Sequence, residues 1–167
     1  GFNSLDFNNM SEVGKLLSIC LMLIGGSPGS TAGGLKTTTI AVLVLSSFSA
    51  FSKKDDIECF GRRIDWEVVK KACGILLMYI MLFIVSGCII SMIEGIDLLT
   101  CLFETASAIG TVGLTLGITS TLGVVSKCIL MFLMFFGRVG CLTLIFAALS
   151  PNVKNVSKKP MEKVNVG

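Results

Sequence analysis

The stretch GGSPGSTAGGLKTTT, residues 25–39, is the most informative part of the sequence, because its five glycines directly follow the apolar run LLSICLMLI, residues 16–24. Such a run is about half as long as a helix that crosses a bilayer, which takes about 20 residues. Irregular backbone at membrane depth is tolerated only where protein or a water-filled cavity surrounds it. In a membrane protein this combination predicts a re-entrant half-helix followed by a loop that lines a pore or a binding cavity.

A nucleotide-phosphate loop is an alternative interpretation of this stretch, since the pattern G-x-x-x-x-G-K-[ST] also ends in lysine and threonine. Gly29 and Gly34 have the required spacing, but Leu35 separates Gly34 from Lys36. The run before the glycines is also poorer in β-branched residues than a buried strand. Both departures disfavour nucleotide binding.

The composition indicates a membrane protein. Of the 167 residues, 53% are hydrophobic and only 15% are charged, whereas soluble domains carry about one quarter charged residues. The seven cysteines never form C-x-x-C and the chain has no histidine, which argues against a disulfide framework and a zinc site. Without histidine, a nucleophile elbow or clustered carboxylates, an enzyme is not expected, and the sequence calls for no cofactor.

The distribution of positive charge predicts the topology. No Lys or Arg occurs from Glu94 to Ser126, so we expect this region to face outward by the positive-inside rule. Ten of the fourteen basic residues lie in the two remaining polar regions, which are expected to be cytoplasmic: Lys53, Lys54, Arg62, Arg63, Lys70, Lys71, Lys154, Lys158, Lys159 and Lys163. Interspersed acids and few aromatic residues make the first cluster a poor nucleic-acid surface.

The chain contains the same unit twice. Superimposing GSTAGGLK on IGTVGLTL pairs Thr31 with Thr111 and Gly33 with Gly113 at an offset of 80 residues. An apolar half-length segment precedes each loop and a longer apolar segment follows it. Thr111-Val112-Gly113 also matches the first three positions of the potassium-channel filter, whose backbone carbonyls replace the hydration shell of the ion.

Five motifs together carry a family resemblance: GFNSLDF, IGGSPGSTAGGLKTTT, FGRRIDW, FETASAIGTVGLTLG and FFGRVGCLTL. The chain resembles the carboxy-terminal part of the potassium-translocating membrane subunit of the Trk/Ktr/HKT superfamily, closest to the Ktr type. The resemblance implies an all-α membrane protein built from four repeats of helix, re-entrant pore loop and helix around one K⁺ path. It also implies a homodimer that associates with cytoplasmic nucleotide-binding regulatory subunits.

The domain boundaries follow from this resemblance together with the apolar segments. Because the first residues are polar and there is no initiator methionine, we expect a fragment that begins inside the third repeat. The third repeat lacks its first helix and covers residues 1–52, with a half-helix at about 11–25, a filter at 29–34 and a second helix at 35–52. A cytoplasmic linker, 53–71, leads to the fourth repeat, 72–149, with a helix at 72–93, a half-helix at 98–109, a filter at 110–115 and a helix at 124–149. A cytoplasmic tail, 150–167, ends the chain.

The resemblance also assigns the candidate functional residues. The filter residues are Thr31, Ala32, Gly33, Thr111, Val112 and Gly113, which would bind K⁺ through their backbone carbonyls. Arg138 interrupts an apolar segment, where a charge costs about 2.5–3.5 kcal/mol on insertion scales, and the family places it beside the pore as an electrostatic barrier. A static hydrogen bond to nearby carbonyls is the alternative.

Four further residues complete the expected site. Arg138 is expected to bind an intramembrane gating loop at SSFSAFS, residues 46–52, which contains Ser46, Ser47 and Ser49. Serine hydroxyls compete for backbone hydrogen bonds and weaken a helix. Glu104 is expected to support the second filter by accepting backbone or hydroxyl hydrogen bonds. The sequence leaves the place of Lys36 open.

A secondary solute carrier with broken helices at a midplane site is the competing function. Carriers of that kind are built from inverted repeats, whereas by the charge rule both half-helices here enter from the outside. We therefore predict a K⁺-conducting pore subunit in the cell membrane, with Na⁺ permeating or co-transported.

Overall fold

A computed structural model describes residues 1–4, 7–52, 57–59 and 62–140. The elements in chain order are a 3₁₀ helix (Phe7–Asn9), α1 (Glu12–Leu23), α2 (Thr37–Phe51), β1 (Ile57–Cys59), β2 (Arg62–Ile64), α3 (Trp66–Glu94), α4 (Leu98–Ile109), a second 3₁₀ helix (Ile118–Ser120) and α5 (Val124–Val139). Apart from one short hairpin, the secondary structure of the described residues is helical, as the sequence predicts.

Polar residues at the helix ends set most of these boundaries. The Ser11 side chain accepts a hydrogen bond from the Gly14 N–H at the start of α1. Asp65 and Asp97 do the same for the first turns of α3 and α4, because the first N–H groups of a helix have no partner within the helix. Gly95 ends α3 with a φ of 65°, a left-handed conformation that glycine adopts without a steric penalty.

The half-helix α4 is the centre of the molecule. It packs against α1, α3 and α5, and Phe103, Thr105 and Ile109 are completely buried. Two apolar clusters meet on it, one formed with α3 and α5 and the other formed with α1. The two half-helices, each of twelve residues, therefore lie side by side and bring together the loops that follow them.

Within the described ranges one helix, α3 with 29 residues, is both long enough and apolar enough to cross a membrane. The apolar helices α2 and α4 are shorter. Large apolar side chains are exposed along α3 and α5, among them Leu77, Met92, Phe132 and Phe135. In water such a surface is unfavourable, and it suits contact with lipid.

The helices depart most from the sequence-based boundaries at α3 and α5. Helix α3 begins at Trp66 instead of residue 72, because the Asp65 side chain caps its first turn. The helix predicted over 124–149 ends at Val139, where Gly140 has a φ of 84° and no longer continues the helix. Residues 141–149 of that predicted helix and the tail 150–167 lie outside the described residues.

The linker 53–71 contains a hairpin and the beginning of α3. Strands β1 and β2 pair antiparallel, with Ile57 opposite Ile64 and Glu58 opposite Arg63. Residues 53–56, 60 and 61 of the linker lie outside the described part of the chain.

Candidate functional site

The second loop, residues 110–117, turns sharply after α4. Gly110 caps the helix, and the next residue, Thr111, has a φ of 54°, which is unusual for a β-branched residue. Gly113 follows with a φ of 86°. The Val112 N–H donates to the Ser107 carbonyl at 2.9 Å, so the loop folds back onto the helix it leaves.

Glu104 holds the far side of this loop. Its side chain is 5% exposed and accepts hydrogen bonds from the Thr115 hydroxyl at 2.5 Å, the Leu116 N–H at 2.9 Å and the Thr119 hydroxyl at 2.9 Å. A buried carboxylate is costly unless such donors surround it. These are the backbone and hydroxyl hydrogen bonds that the sequence predicts for Glu104.

The first loop, residues 24–36, is longer, and hydrogen bonds join its two ends. Ile24 and Leu35 form a parallel bridge, in which the Gly25 N–H donates to the Leu35 carbonyl at 2.6 Å and the Leu35 N–H donates to the Leu23 carbonyl at 3.2 Å. The chain between them projects as an exposed turn that includes Gly29, whose φ is 83°.

The two loops meet at Gly33. Its N–H donates to the Thr111 hydroxyl oxygen at 2.8 Å. A Cβ on Gly33 would lie 2.5 Å from that same oxygen and 2.8 Å from the Gly137 carbonyl oxygen. Gly33 is buried. The first loop contacts both the second loop and α5 at this residue.

This contact corrects the expected pairing of Gly33 with Gly113. Gly33 does not have a positive φ, whereas Gly29 and Gly113 have φ values of 83° and 86° and are both exposed. Among the described residues no atom lies within 4 Å of where a Cβ on Gly29 would sit. In backbone conformation and exposure Gly29 therefore resembles Gly113. The shared G-x-x-G spacing of GSPG, residues 26–29, and GTVG, residues 110–113, was the signal for it.

Two cationic side chains bind the segment that the sequence assigned to the first filter. The Arg138 guanidinium donates to the Thr31 carbonyl. The Lys36 ammonium donates to the Ala32 carbonyl at 2.7 Å and the Ser30 carbonyl at 3.4 Å. The carbonyls of Thr31 and Ala32 are thus occupied by protein cations.

The serines of α2 do not form the expected broken segment. Helix α2 continues through them to Phe51, and the hydroxyls of Ser46 and Ser47 both donate to the Leu43 carbonyl of the same helix. Serine satisfies its hydroxyl in this way inside a helix. The partner found for Arg138 is the Thr31 carbonyl, 107 positions away in sequence, instead of the segment 46–52. Ser49 lies in the same unbroken helix.

A cavity of about 570 Å³ adjoins the second loop. Thr111 and Gly113 border it on the loop side, Glu104 and Ser107 on the side of α4, and Arg138 on the side of α5. The second loop and the Arg138 side chain therefore border the same cavity.

The sequence of the chain matches a known family. Residues 1–158 match the TrkH family, described as cation transport protein. The chain belongs to the TrkH family. The family consists of helical membrane proteins, in agreement with the predicted fold class.

Curated members of the TrkH family are similar over the whole chain. A potassium/sodium uptake protein of Enterococcus hirae is 38% identical over 100% of this chain and 38% of its own length. The Ktr system potassium uptake protein B of Bacillus subtilis is 36% identical over 93% of this chain and 35% of its own length. The chain thus spans little more than a third of these relatives.

A solved TrkH structure has the same fold. The potassium transporter TrkH from Vibrio parahaemolyticus superimposes with a TM-score of 0.72 at 25% identity. The match covers 88% of this chain and 33% of that chain.

Proposed function

We propose that this chain is part of the pore-forming subunit of a potassium uptake system in the cell membrane. The observation that carries the proposal is the pair of adjacent half-helices, each followed by a loop with an exposed glycine at positive φ, Gly29 and Gly113. The names of the relatives from Enterococcus hirae and Bacillus subtilis support potassium as the transported ion.

The chemistry of the loops suits a monovalent cation. Pointing successive carbonyls toward one axis requires a positive φ, which a Cβ disfavours. Rings of such carbonyls replace the hydration shell of K⁺. Each half-helix ends at its loop, where its C-terminus contributes a partial negative charge of about half an elementary charge. Residues 26–29 and 110–113 would each supply carbonyls to the K⁺ path, and Na⁺ would permeate less well or be co-transported.

The proposal is tested by expressing the complete protein in cells that lack their own potassium uptake. We expect growth at low external K⁺ and saturable K⁺ uptake that depends on the protein. Absence of uptake from a protein that reaches the membrane in normal amount would contradict a conducting role.

Arg138 is proposed to act as a positive barrier beside the path, since it borders the cavity at the second loop. Replacing it with alanine in the complete protein should raise K⁺ flux severalfold per molecule, because the loss of the positive charge lowers the electrostatic barrier that a cation meets in the cavity. Arg138→Lys, which retains the charge, should leave flux close to normal. Unchanged flux in Arg138→Ala with normal expression would identify a static role for the hydrogen bond to Thr31.

The proposed topology places 53–71 and 150–167 in the cytoplasm. In a cysteine-free form of the complete protein, a membrane-impermeant thiol reagent should label Ser120→Cys from outside intact cells but should not label Glu67→Cys. Both positions are exposed in the structure, so accessibility within the fold is matched. Ready labelling of Glu67→Cys would contradict the proposed cytoplasmic location of residues 53–71.

The proposed partners follow from the family. By resemblance we infer a homodimer with one pore per subunit and a cytoplasmic set of nucleotide-binding regulatory subunits. Exposed apolar residues of α3 and α5 would contact membrane lipids. A nucleic-acid partner is not proposed.

A further inference from the structure

Lys36 occupies an electrostatically unfavourable position. It is the N-cap residue of α2 and makes no side-chain capping hydrogen bond. The N-terminus of a helix carries a partial positive charge that disfavours a cation. A lysine at this place therefore needs a compensating negative environment.

The turn Ser30–Ala32 supplies that environment. The Lys36 ammonium, which has three donors and no acceptor, is bound by the carbonyls of Ala32 and Ser30 at 2.7 Å and 3.4 Å. Hydrogen bonds to a charged group are about twice as strong as neutral ones. The ammonium is a compact cation held by backbone carbonyls, which is the same kind of environment that a bare K⁺ ion requires.

The turn is fixed from its other sides as well. The Ala32 N–H donates to the Ser30 hydroxyl at 3.1 Å, and the Thr31 carbonyl accepts from Arg138. All three carbonyls of the turn therefore accept hydrogen bonds from protein cations. Immediately beyond the turn, Gly33 is tied to Thr111 of the second loop.

We propose that Lys36 is a positioning residue for ion selectivity: its ammonium acts as a tethered cation that holds the Ser30–Ala32 carbonyls and thereby fixes the preceding segment, residues 26–29. This inference rests on the proposed function, in which carbonyls of residues 26–29 face the ion path. Because the carbonyls of Ser30–Ala32 already bind protein cations, the carbonyls that this loop offers to transported ions are those of residues 26–29.

The test compares Lys36→Met with Lys36→Arg in the complete protein, by measuring K⁺ and Na⁺ uptake per molecule in the membrane. Lys36→Met keeps an apolar stem but removes the charge, and should lower the K⁺ to Na⁺ flux ratio about fivefold, equivalent to about 1 kcal/mol of differential binding. Lys36→Arg should stay within about twofold of the unchanged protein. If Lys36→Met is not delivered to the membrane, Lys36→Gln, which keeps a neutral donor, should also lower the ratio.

Lys127→Met is the matched control. The Lys127 ammonium also donates to a backbone carbonyl, that of Ser120 at 3.1 Å, but it lies beyond the second loop, in the first turn of α5. Its loss should leave the flux ratio unchanged. An unchanged ratio in Lys36→Met, with or without a lower amount of protein, would overturn the proposal and reduce Lys36 to a structural contact.

Failure of this inference is distinguishable from failure of the proposed function. If Gly113→Ala alters the ratio while Lys36→Met does not, only the role of Lys36 is refuted. If neither substitution alters the ratio, the loops do not select ions, and both the role of Lys36 and the proposed ion path along residues 26–29 and 110–113 are refuted. The proposed uptake function itself fails only if the complete protein gives no K⁺ uptake.

Discussion

Replacing Gly113 with alanine in the complete protein should lower the preference for K⁺ over Na⁺ about tenfold, which corresponds to about 1.4 kcal/mol of differential binding. Gly113 has a φ of 86°, and a left-handed conformation costs a residue with a Cβ about 1–2 kcal/mol. Relief of that strain turns the carbonyls of the loop away from the ion. Na⁺ holds its hydration shell more tightly, so its flux should fall less. The measurement is uptake of each cation, normalised to protein in the membrane.

Gly95→Ala is the control for Gly113→Ala. Gly95 has a φ of 65°, and no described atom lies within 4 Å of where its Cβ would sit, so it imposes a similar backbone strain at the end of α3, outside the proposed filter. It should leave the flux ratio unchanged. Gly33→Ala should instead reduce the amount of folded protein, because its Cβ would collide with Thr111 and the Gly137 carbonyl. Equal flux ratios in Gly113→Ala and Gly95→Ala would show that Gly113 has no special role in selectivity.

Replacing Glu104 with alanine should have the second largest effect, on both stability and selectivity. The substitution leaves the buried Leu116 N–H without its acceptor, at a cost of about 1–3 kcal/mol. It also frees the hydroxyls of Thr115 and Thr119, so the second loop loses its support beyond Gly113. We expect a lower midpoint of thermal unfolding in detergent and a K⁺ to Na⁺ flux ratio several times smaller.

Two variants separate these effects. Glu104→Gln keeps an oxygen acceptor for Leu116 and should retain most of the flux ratio. Glu94→Ala removes another carboxylate, which accepts hydrogen bonds from the Gly123 N–H at 2.8 Å and the Ser126 hydroxyl at 2.5 Å. These bonds join α3 to α5 away from the loops. The substitution should therefore lower stability and leave the flux ratio unchanged. A normal ratio in Glu104→Ala would mean that the loop keeps its shape without the carboxylate.

Local sequence patterns sufficed to predict that both half-helices form, and to predict the exact bounds of α4. Helix α4 has the predicted bounds 98–109, because Asp97 caps its start and Gly110 ends it. Helix α1 is shorter than the predicted 11–25, since Ile24 and Gly25 form the bridge with Leu35. The hydrogen bonds of Glu104 were predictable for a related reason, because a carboxylate in an apolar helix needs nearby donors.

The pairing of the glycines was not predictable from composition. Five glycines lie within residues 25–34; beyond the shared G-x-x-G spacing, it is their φ values and contacts that distinguish Gly29 in an open turn from Gly33 in a packed junction. The partner of Arg138 was missed because it is 107 positions away. A contact of that length depends on how α5 packs against the first loop.

The most direct test of the proposed ion path is the location of Tl⁺, a scatterer that substitutes for K⁺, in an anomalous difference map of crystals of the complete protein. The map should show a peak in contact with the carbonyls of residues 110–113 and of residues 26–29, and Gly113→Ala should weaken it. A peak only at Thr31–Gly33, or none beside either loop in crystals that bind Tl⁺ elsewhere, would contradict the proposed path.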